Sequence, residues 1–233
     1  MATYNGSNYI KKQVISILEQ LSSIDELVIS DDNSTDDTLA IIQSFNDARI
    51  KIFRNVSRIA GPVSNFENAL NHANGEYIFL ADQDDIWLSN KIETHIKAHE
   101  IHDLVISDCY VVKEDGQILY NSFFEERGSK AGFFKNLRKN SYIGCCMSFN
   151  RKILDIALPF PTYIHMHDWW IGLVAELKSS PFFCKDRLMY YVRHDSNASP
   201  TLEQSGYSVL KRIKNRTQLL FGLLIIFFKS NNK

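Results

Sequence analysis

The chain has 233 residues, 45% of them hydrophobic and 23% charged, with a formal net charge of −1. That length suits one large domain with a full core, and the composition is ordinary for a globular protein. A near-zero net charge leaves no global field to attract nucleic acid, which excludes a general nucleic-acid binder.

The opening Met1-Ala2-Thr3-Tyr4-Asn5-Gly6 is turn-like and reads as loop, not as a signal peptide. In an α/β fold it looks like the loop after a first strand that is itself absent. Residues 8–21 place Tyr9, Ile10, Val14, Ile17, Leu18 and Leu21 at helical spacing. Leu27-Val28-Ile29 is a short buried strand, and Asp31 to Asp36 a polar loop in which Asp36 can cap the next helix. Ile50 to Phe53 is a strand, Gly61-Pro62 a turn, and Ser64 to Ala73 a helix stopped by Asn74-Gly75.

Tyr77-Ile78-Phe79-Leu80 reads as a buried parallel strand, followed by Ala81-Asp82-Gln83-Asp84-Asp85 and a helix over 89–102. The strand–helix alternation predicts an α/β fold with a mostly parallel mixed sheet flanked by helices. Later come a strand from Leu104 to Val112 and a hairpin turn at Glu114-Asp115-Gly116. Loop and short helix follow over 121–142. A strand-like Gly144 to Phe149, a helix from Asp168 to Leu177 and a strand from Leu188 to Arg193 complete the order. The four cysteines have no C-x-x-C spacing and read as buried free thiols. His72, His95, His99 and His102 fall on predicted helices and are expected at the surface; His165 has no assigned role.

The acidic loop is the most informative stretch. Carboxylates just past a strand lie at the carboxyl edge of the sheet, where open α/β sheets bind ligands. Their mutual repulsion is relieved by a divalent cation, and carboxylates are the hard ligands that Mg²⁺ or Mn²⁺ prefers. The loop therefore points to a site for a metal and a diphosphate.

Met1 to Asn5, Asp31 to Asp36, Ala73 to Ile78, Asp82-Gln83-Asp84-Asp85-Ile86-Trp87 and His167-Asp168-Trp169-Trp170 together resemble the family 2 glycosyltransferases of the GT-A fold. The resemblance covers roughly residues 1–200 and rests on the order and spacing of motifs that are individually weak. Gly61-Pro62 with Asn65-Phe66, the Asp-Gln-Asp-Asp-Ile-Trp loop and His-Asp-Trp-Trp suit the rhamnosyltransferase-like subgroup, whose members typically use dTDP-L-rhamnose without being uniform in donor. It implies a GT-A domain over 1–205, with a nucleotide-sugar half to 103 and an acceptor half beyond.

The resemblance implies the following roles. Asp84 holds the metal that bridges the donor phosphates, and Asp82 faces the donor ribose or sugar; Asp85 serves as a helix cap. Asp32 accepts from the pyrimidine N3–H, Tyr4 stacks near the base, and Ala2 and Thr3 add backbone contacts. Asn65 approaches the base or ribose, or else holds a helix start. Asp168 is the catalytic base that takes the acceptor hydroxyl's proton in an inverting displacement; the plain alternative is a helix cap. Of Trp169 and Trp170, one stacks on an acceptor sugar and the other packs in the core. His194 completes the metal shell, and Arg193 holds phosphates through its planar fork. His167 stands where many members carry an acid.

The tail 206–233 sets Lys211, Arg212, Lys214 and Arg216 before the apolar run Leu219 to Phe228. That run is shorter than the ~20 residues a membrane span needs. It reads as a helix in the membrane interface, bringing the site to a lipid-linked glycan acceptor at the cytoplasmic face. The bland alternative is packing on the domain or dimerisation. Two rival readings stay open: a metal-dependent nucleotidyltransferase, disfavoured by the lack of a Gly-rich triphosphate loop, and an inactive truncated transferase acting as a membrane-associated partner.

Overall fold

The computed structural model describes residues 1–57, 59–195, 197 and 208–231, with side chains in the last helix to residue 228. The first half alternates β1 (Ala2–Thr3), α1 (Ile10–Leu18), β2 (Leu27–Asp31), α2 (Thr38–Ser44) and β3 (Ile50–Arg54), with α3 (Pro62–His72) after it. Strands β1, β2 and β3 form a parallel sheet. β2 is buried along its whole length, and its apolar start Leu27-Val28-Ile29 is the part the sequence reveals. α1 turns Ile10, Val14 and Ile17 inward at i, i+4, i+7. Pro62 opens α3 after Gly61, whose φ of 127° lies where a side chain would be strained.

Where the sequence predicts no first strand, residues 2–3 pair with Ser30 and Asp31. The N–H groups of Ser30 and Asp32 donate to the carbonyls of Met1 and Thr3, both at 2.9 Å. The exposed edge of β2 thus recruits a turn-like sequence into the sheet, because its buried amide groups need partners.

The second half contains β4 (Tyr77–Phe79), β5 (Ile86–Trp87), α4 (Lys91–His99), β6 (Leu104–Lys113), β7 (Ile118–Tyr120), α5 (Phe123–Arg127) and α6 (Phe133–Arg138). A 3₁₀ turn (Gly144–Cys146), β8 (Met147–Asn150), α7 (Arg151–Ala157), α8 (His167–Lys178), β9 (Phe182–Arg193) and α9 (Val209–Asn231) follow. Its strands run in the order β4-β8-β6-β9-β5, with β7 on β6. Only β6 and β9 are parallel; the other pairs are antiparallel. Parallel pairing therefore dominates the first half alone, and β4, read as parallel, runs antiparallel to β8. An apolar run marks burial but carries no direction. The Ala2 N–H donates to Ala81 O at 3.3 Å and links the two sheets beside the acidic loop.

α4 corrects the expectation of surface histidines. Its inward face is Lys91, His95 and His99, spaced i, i+4, i+8 and all buried. His99 Nδ1 faces the His102 carbonyl at 2.8 Å and so carries the proton, leaving Nε2 to accept from Ser148 Oγ at 2.7 Å. Ser148 Oγ then accepts from His95 Nδ1, also at 2.7 Å. A polar seam on an inward face has no apolar periodicity to reveal it. All four cysteines are buried free thiols.

Candidate active site

The acidic loop follows β4, and residues after β9 return to meet it. Asp84 Oδ2 lies 2.8 Å from His194 Nε2, and Asn197 Nδ2 donates to the same oxygen at 3.1 Å. The His194 N–H donates to Asn197 Oδ1 at 2.7 Å, which fixes the turn after β9. The Tyr9 ring stacks on His194 with centroids 4.3 Å apart and planes 11° apart. Its hydroxyl donates to Glu114 of the β6–β7 turn. That bond, with burial and the charge of Glu114, pushes the phenol up to about 12. Arg193 ends β9 in register with Lys113, next to His194.

Asp84 and His194 pair with each other here, and a carboxylate and an imidazole are both ligand types that Mg²⁺ or Mn²⁺ accepts. A second trio, Asp82, Asp85 and Cys145, brings ligand atoms within 4.8 Å of one another. Burial pushes the Asp85 carboxyl and the Cys145 thiol well above their ordinary values. Asp85 is no helix cap. It is buried, accepts the Val192 N–H at 3.2 Å, and precedes the short β5 rather than a helix. Asp82 is half-buried, and its carboxyl is raised to about 7, by burial first and then by Asp84 and Asp168.

The opposite corner is built on β2. Asp32 accepts from Asn55 Nδ2 at 2.9 Å and from the Gly61 N–H at 2.8 Å, so it holds the loop before α3. Tyr4 is 57% exposed and presents its ring to solvent. Its N–H donates to Gln83 Oε1 at 2.9 Å, and Gln83 Nε2 donates to its carbonyl at 3.0 Å. The next three N–H groups, of Asn5, Gly6 and Ser7, donate to Ser34, Thr38 and Asp36 at 2.9, 2.7 and 3.0 Å. Four successive amides are thus engaged by neighbouring loops.

Ala2 and Thr3 were expected to offer backbone contacts. The Ala2 N–H instead reaches Ala81, and the Thr3 carbonyl accepts from both Asp32 N and Asn65 Nδ2, the latter at 3.0 Å. Asn65 is buried in α3, and its Oδ1 has no hydrogen-bond partner among the described residues.

Asp168 sits in the first turn of α8, where the helix dipole favours an anion, and is 7% exposed. Its Oδ1 accepts the Trp169 N–H at 2.6 Å. Burial raises its carboxyl to about 6, opposed by the N–H groups of Trp169 and Gly144 and by the charge of Arg127. A Cβ at Gly144 would lie 3.4 Å from Asp168 Cβ and 3.1 Å from His167 Nε2, so a larger residue there presses on the His167 ring. His167 stacks on Phe66 with centroids 4.0 Å apart, and burial pushes its imidazole down to about 3, leaving it neutral.

Trp170 is 1% exposed, donates from Nε1 to the Ala157 carbonyl at 2.9 Å and packs under α9. It is the core tryptophan of the pair. Trp169 is also buried, its Nε1 donating to Asn136 O at 2.8 Å and its ring meeting His165 edge-on. Neither indole offers an open face to a sugar, because the first turn of α8 points inward over α6 and α7. Sequence reasoning gave no role to Gln83, Tyr9, Glu114, Asn197 and Arg127. Gln83 lies inside the acidic motif, Glu114 in the Glu114-Asp115-Gly116 turn and Asn197 three residues after His194, whereas Arg127 carries no local signal.

Residues 1–156 match the family model described as Glycosyl transferase family 2. The chain is 29% identical over 219 residues to the dTDP-rhamnosyl transferase RfbG of Shigella flexneri, covering 84% of this chain and 72% of that relative. It is 28% identical over 195 residues to the UDP-Glc:alpha-D-GlcNAc-diphosphoundecaprenol beta-1,3-glucosyltransferase WfgD of Escherichia coli, covering 79% and 72%. Among solved structures, S. aureus TarS 1-349 in complex with UDP-GlcNAc superposes with a TM-score of 0.71 at 20% identity, covering 95% of this chain and 64% of that one. The mannosyltransferase PcManGT from Pyrobaculum calidifontis, in complex with GDP-Man and Mn2+, gives 0.60 at 21%, covering 100% and 63%. This chain therefore spans less than two thirds of either structure's chain, and both likenesses concern the fold, which is GT-A. With its first two thirds matched by the family model, the chain belongs to glycosyl transferase family 2.

Proposed function

We propose that the protein transfers a hexosyl unit, L-rhamnose from dTDP-L-rhamnose, to a saccharide or lipid-linked glycan acceptor with inversion, in the synthesis of a cell-surface polysaccharide. The observation that carries this reading is the meeting of Asp84 and His194 at 2.8 Å beside Asp82, a carboxylate that feels the charges of both Asp84 and the buried Asp168. Inversion needs a leaving-group site and a base together.

In this reading Asp32 and the Tyr4 ring receive the pyrimidine, Asp82 faces the donor sugar, and Asn65 supports the base wall through Thr3. Mg²⁺ or Mn²⁺ held by Asp84 and His194 would neutralise the charge of the departing nucleoside diphosphate. Arg193 adds charge to the phosphate side. Asp168 accepts the proton of the attacking hydroxyl, and Trp169 keeps it dry. The donor rests on the name of the Shigella relative; a relative of nearly equal identity is named for UDP-Glc, so the sugar is the part most open to test. The names of relatives acting on diphosphoundecaprenol-linked sugars support a lipid-linked acceptor. The protein would then work peripherally at the cytoplasmic membrane face through α9. Among the described residues no helix is long and apolar enough to cross a membrane.

The test is mass-spectrometric detection of nucleotide release from a nucleotide-sugar panel with Mg²⁺, Mn²⁺ or EDTA. Metal-dependent release from dTDP-L-rhamnose is the expected result. Release from a UDP- or GDP-sugar alone would keep the class and replace the donor. No release from any donor would favour an inactive partner role.

A further inference from the structure

The apolar tail helix has two different faces. Along one, Leu219 and Leu223 are buried and Gly222 lies against Trp170, where a Cβ would come within 2.9 Å of the ring. This face docks α9 on α8. Along the other, Leu210, Ile213, Phe221, Leu224 and Phe228 are exposed, at i, i+3, i+11, i+14 and i+18. Those spacings keep them on one outward stripe. Packing on the domain therefore accounts for one face only.

Charge flanks the outer stripe. Successive helical positions turn by about 100°, which places Lys214 and Lys211 on one side of the stripe and Arg216 on the other, with Arg212 on the azimuth of the packed face. No acidic residue occurs between Val209 and Asn231. The Arg216 Nε donates to the Arg138 carbonyl at 3.0 Å, tying α9 to the end of α6. There Phe134 is 82% exposed, and Lys135 is held below its ordinary value by burial first and then by the charges of Lys130 and Lys139. The surface also adjoins the acceptor side of the site: the charge of Lys211 reaches His165, whose ring meets Trp169 at 5.5 Å, one residue from Asp168.

We propose that the outer stripe of α9, with its basic flanks and Phe134, docks on an anionic lipid bilayer and sets the Asp168 side of the site toward that surface. An apolar stripe between cationic flanks matches acyl chains beneath anionic headgroups, whereas a second copy would bring like charges together. The orientation deepens the transfer reading and rests on it; the lipid contact does not.

The test is flotation of the full chain with phosphatidylcholine vesicles and with mixed phosphatidylcholine–phosphatidylglycerol vesicles, without nucleotide sugar. Binding should require phosphatidylglycerol and fall with salt. Phe221→Ser with Leu224→Ser and Phe228→Ser should weaken it on the order of tenfold or more at unchanged melting temperature. Lys214→Gln, at an exposed position, should weaken it on the order of fivefold. Equal binding to pure phosphatidylcholine, binding unaffected by either variant, or a stripe-dependent dimer that ignores vesicles would overturn the proposal. A chain that floats yet releases no nucleotide from any donor would overturn the transfer reading and leave the lipid surface standing.

Discussion

Gln83 grips Tyr4 by both backbone groups, accepting its N–H at 2.9 Å and donating to its carbonyl at 3.0 Å. The side chain thus acts like one rung of a strand pair between the acidic loop and the loop after β1. It passes so close to Gly6 that a Cβ there would lie 2.3 Å from Gln83 Oε1. The loop after β1 and the acidic loop are therefore held in register by one amide.

Gln83→Ala should raise the KM for the donor about tenfold, the scale of one or two lost hydrogen bonds, while changing kcat little. Gly6→Ala should do the same by displacing the amide. The double variant should be no worse than either single one, because both act through the same contact. Additive losses in steady-state kinetics would show that Gly6 acts elsewhere.

Asp168→Asn should lower kcat by about 10²–10⁴ with donor affinity retained, as expected for a lost general base. With the carboxyl at about 6, the wild-type rate should climb with pH through that value and level off above it. Calorimetric titration with the nucleotide sugar and a pH–rate profile check both parts; full turnover by the variant would remove Asp168 from the chemistry.

The same carboxylate costs stability. Its folded value of about 6 exceeds the unfolded one near 3.9, so between these values the folded state holds the extra proton and stability rises as pH falls. Above pH 6 the buried charge is carried in full. Asp168→Asn should therefore stabilise the protein by about 1–3 kcal/mol at pH 8, with the gain shrinking toward pH 4. Thermal melting across pH would read this.

Asp84→Ala should abolish metal-dependent donor binding, and His194→Ala should weaken it by about 10- to 100-fold. Donor binding that is the same with EDTA and with Mn²⁺ in the wild type would sink the metal assignment.

His167 gives the opposite pH signature. Burial pushes its imidazole to about 3, below the unfolded value near 6.5, so the unfolded chain takes up a proton that the folded one refuses. Stability from this group is full above pH 6.5 and declines as pH falls toward 3. His167→Gln should flatten the acid side of the melting curve; an unchanged slope would show that the ring protonates in place.

β2 and α1 were legible because each carries a local pattern, the Leu27-Val28-Ile29 run and the i, i+4, i+7 stripe, whereas the two-residue β1 has none and was missed. The buried His95–Ser148–His99 seam was hidden, since a polar inward face has no hydrophobic period and its partners lie 49 to 53 residues away. β9 read as six residues because Lys185-Asp186-Arg187 breaks the pattern, yet β6 supplies a partner along its length.

The sequence by itself determined the family, the larger strands and helices and the residue types at Asp84, Asp168 and His194, because residue type and local spacing are properties of a one-dimensional string. Only the tertiary structure decided that Asp84 meets His194, that Gln83 clasps Tyr4, that Trp170 belongs to the core and that α9 has one packed and one open face. Those outcomes depend on which distant groups compete for the same buried hydrogen bonds and the same apolar contacts, and that competition is settled only when the chain is compact.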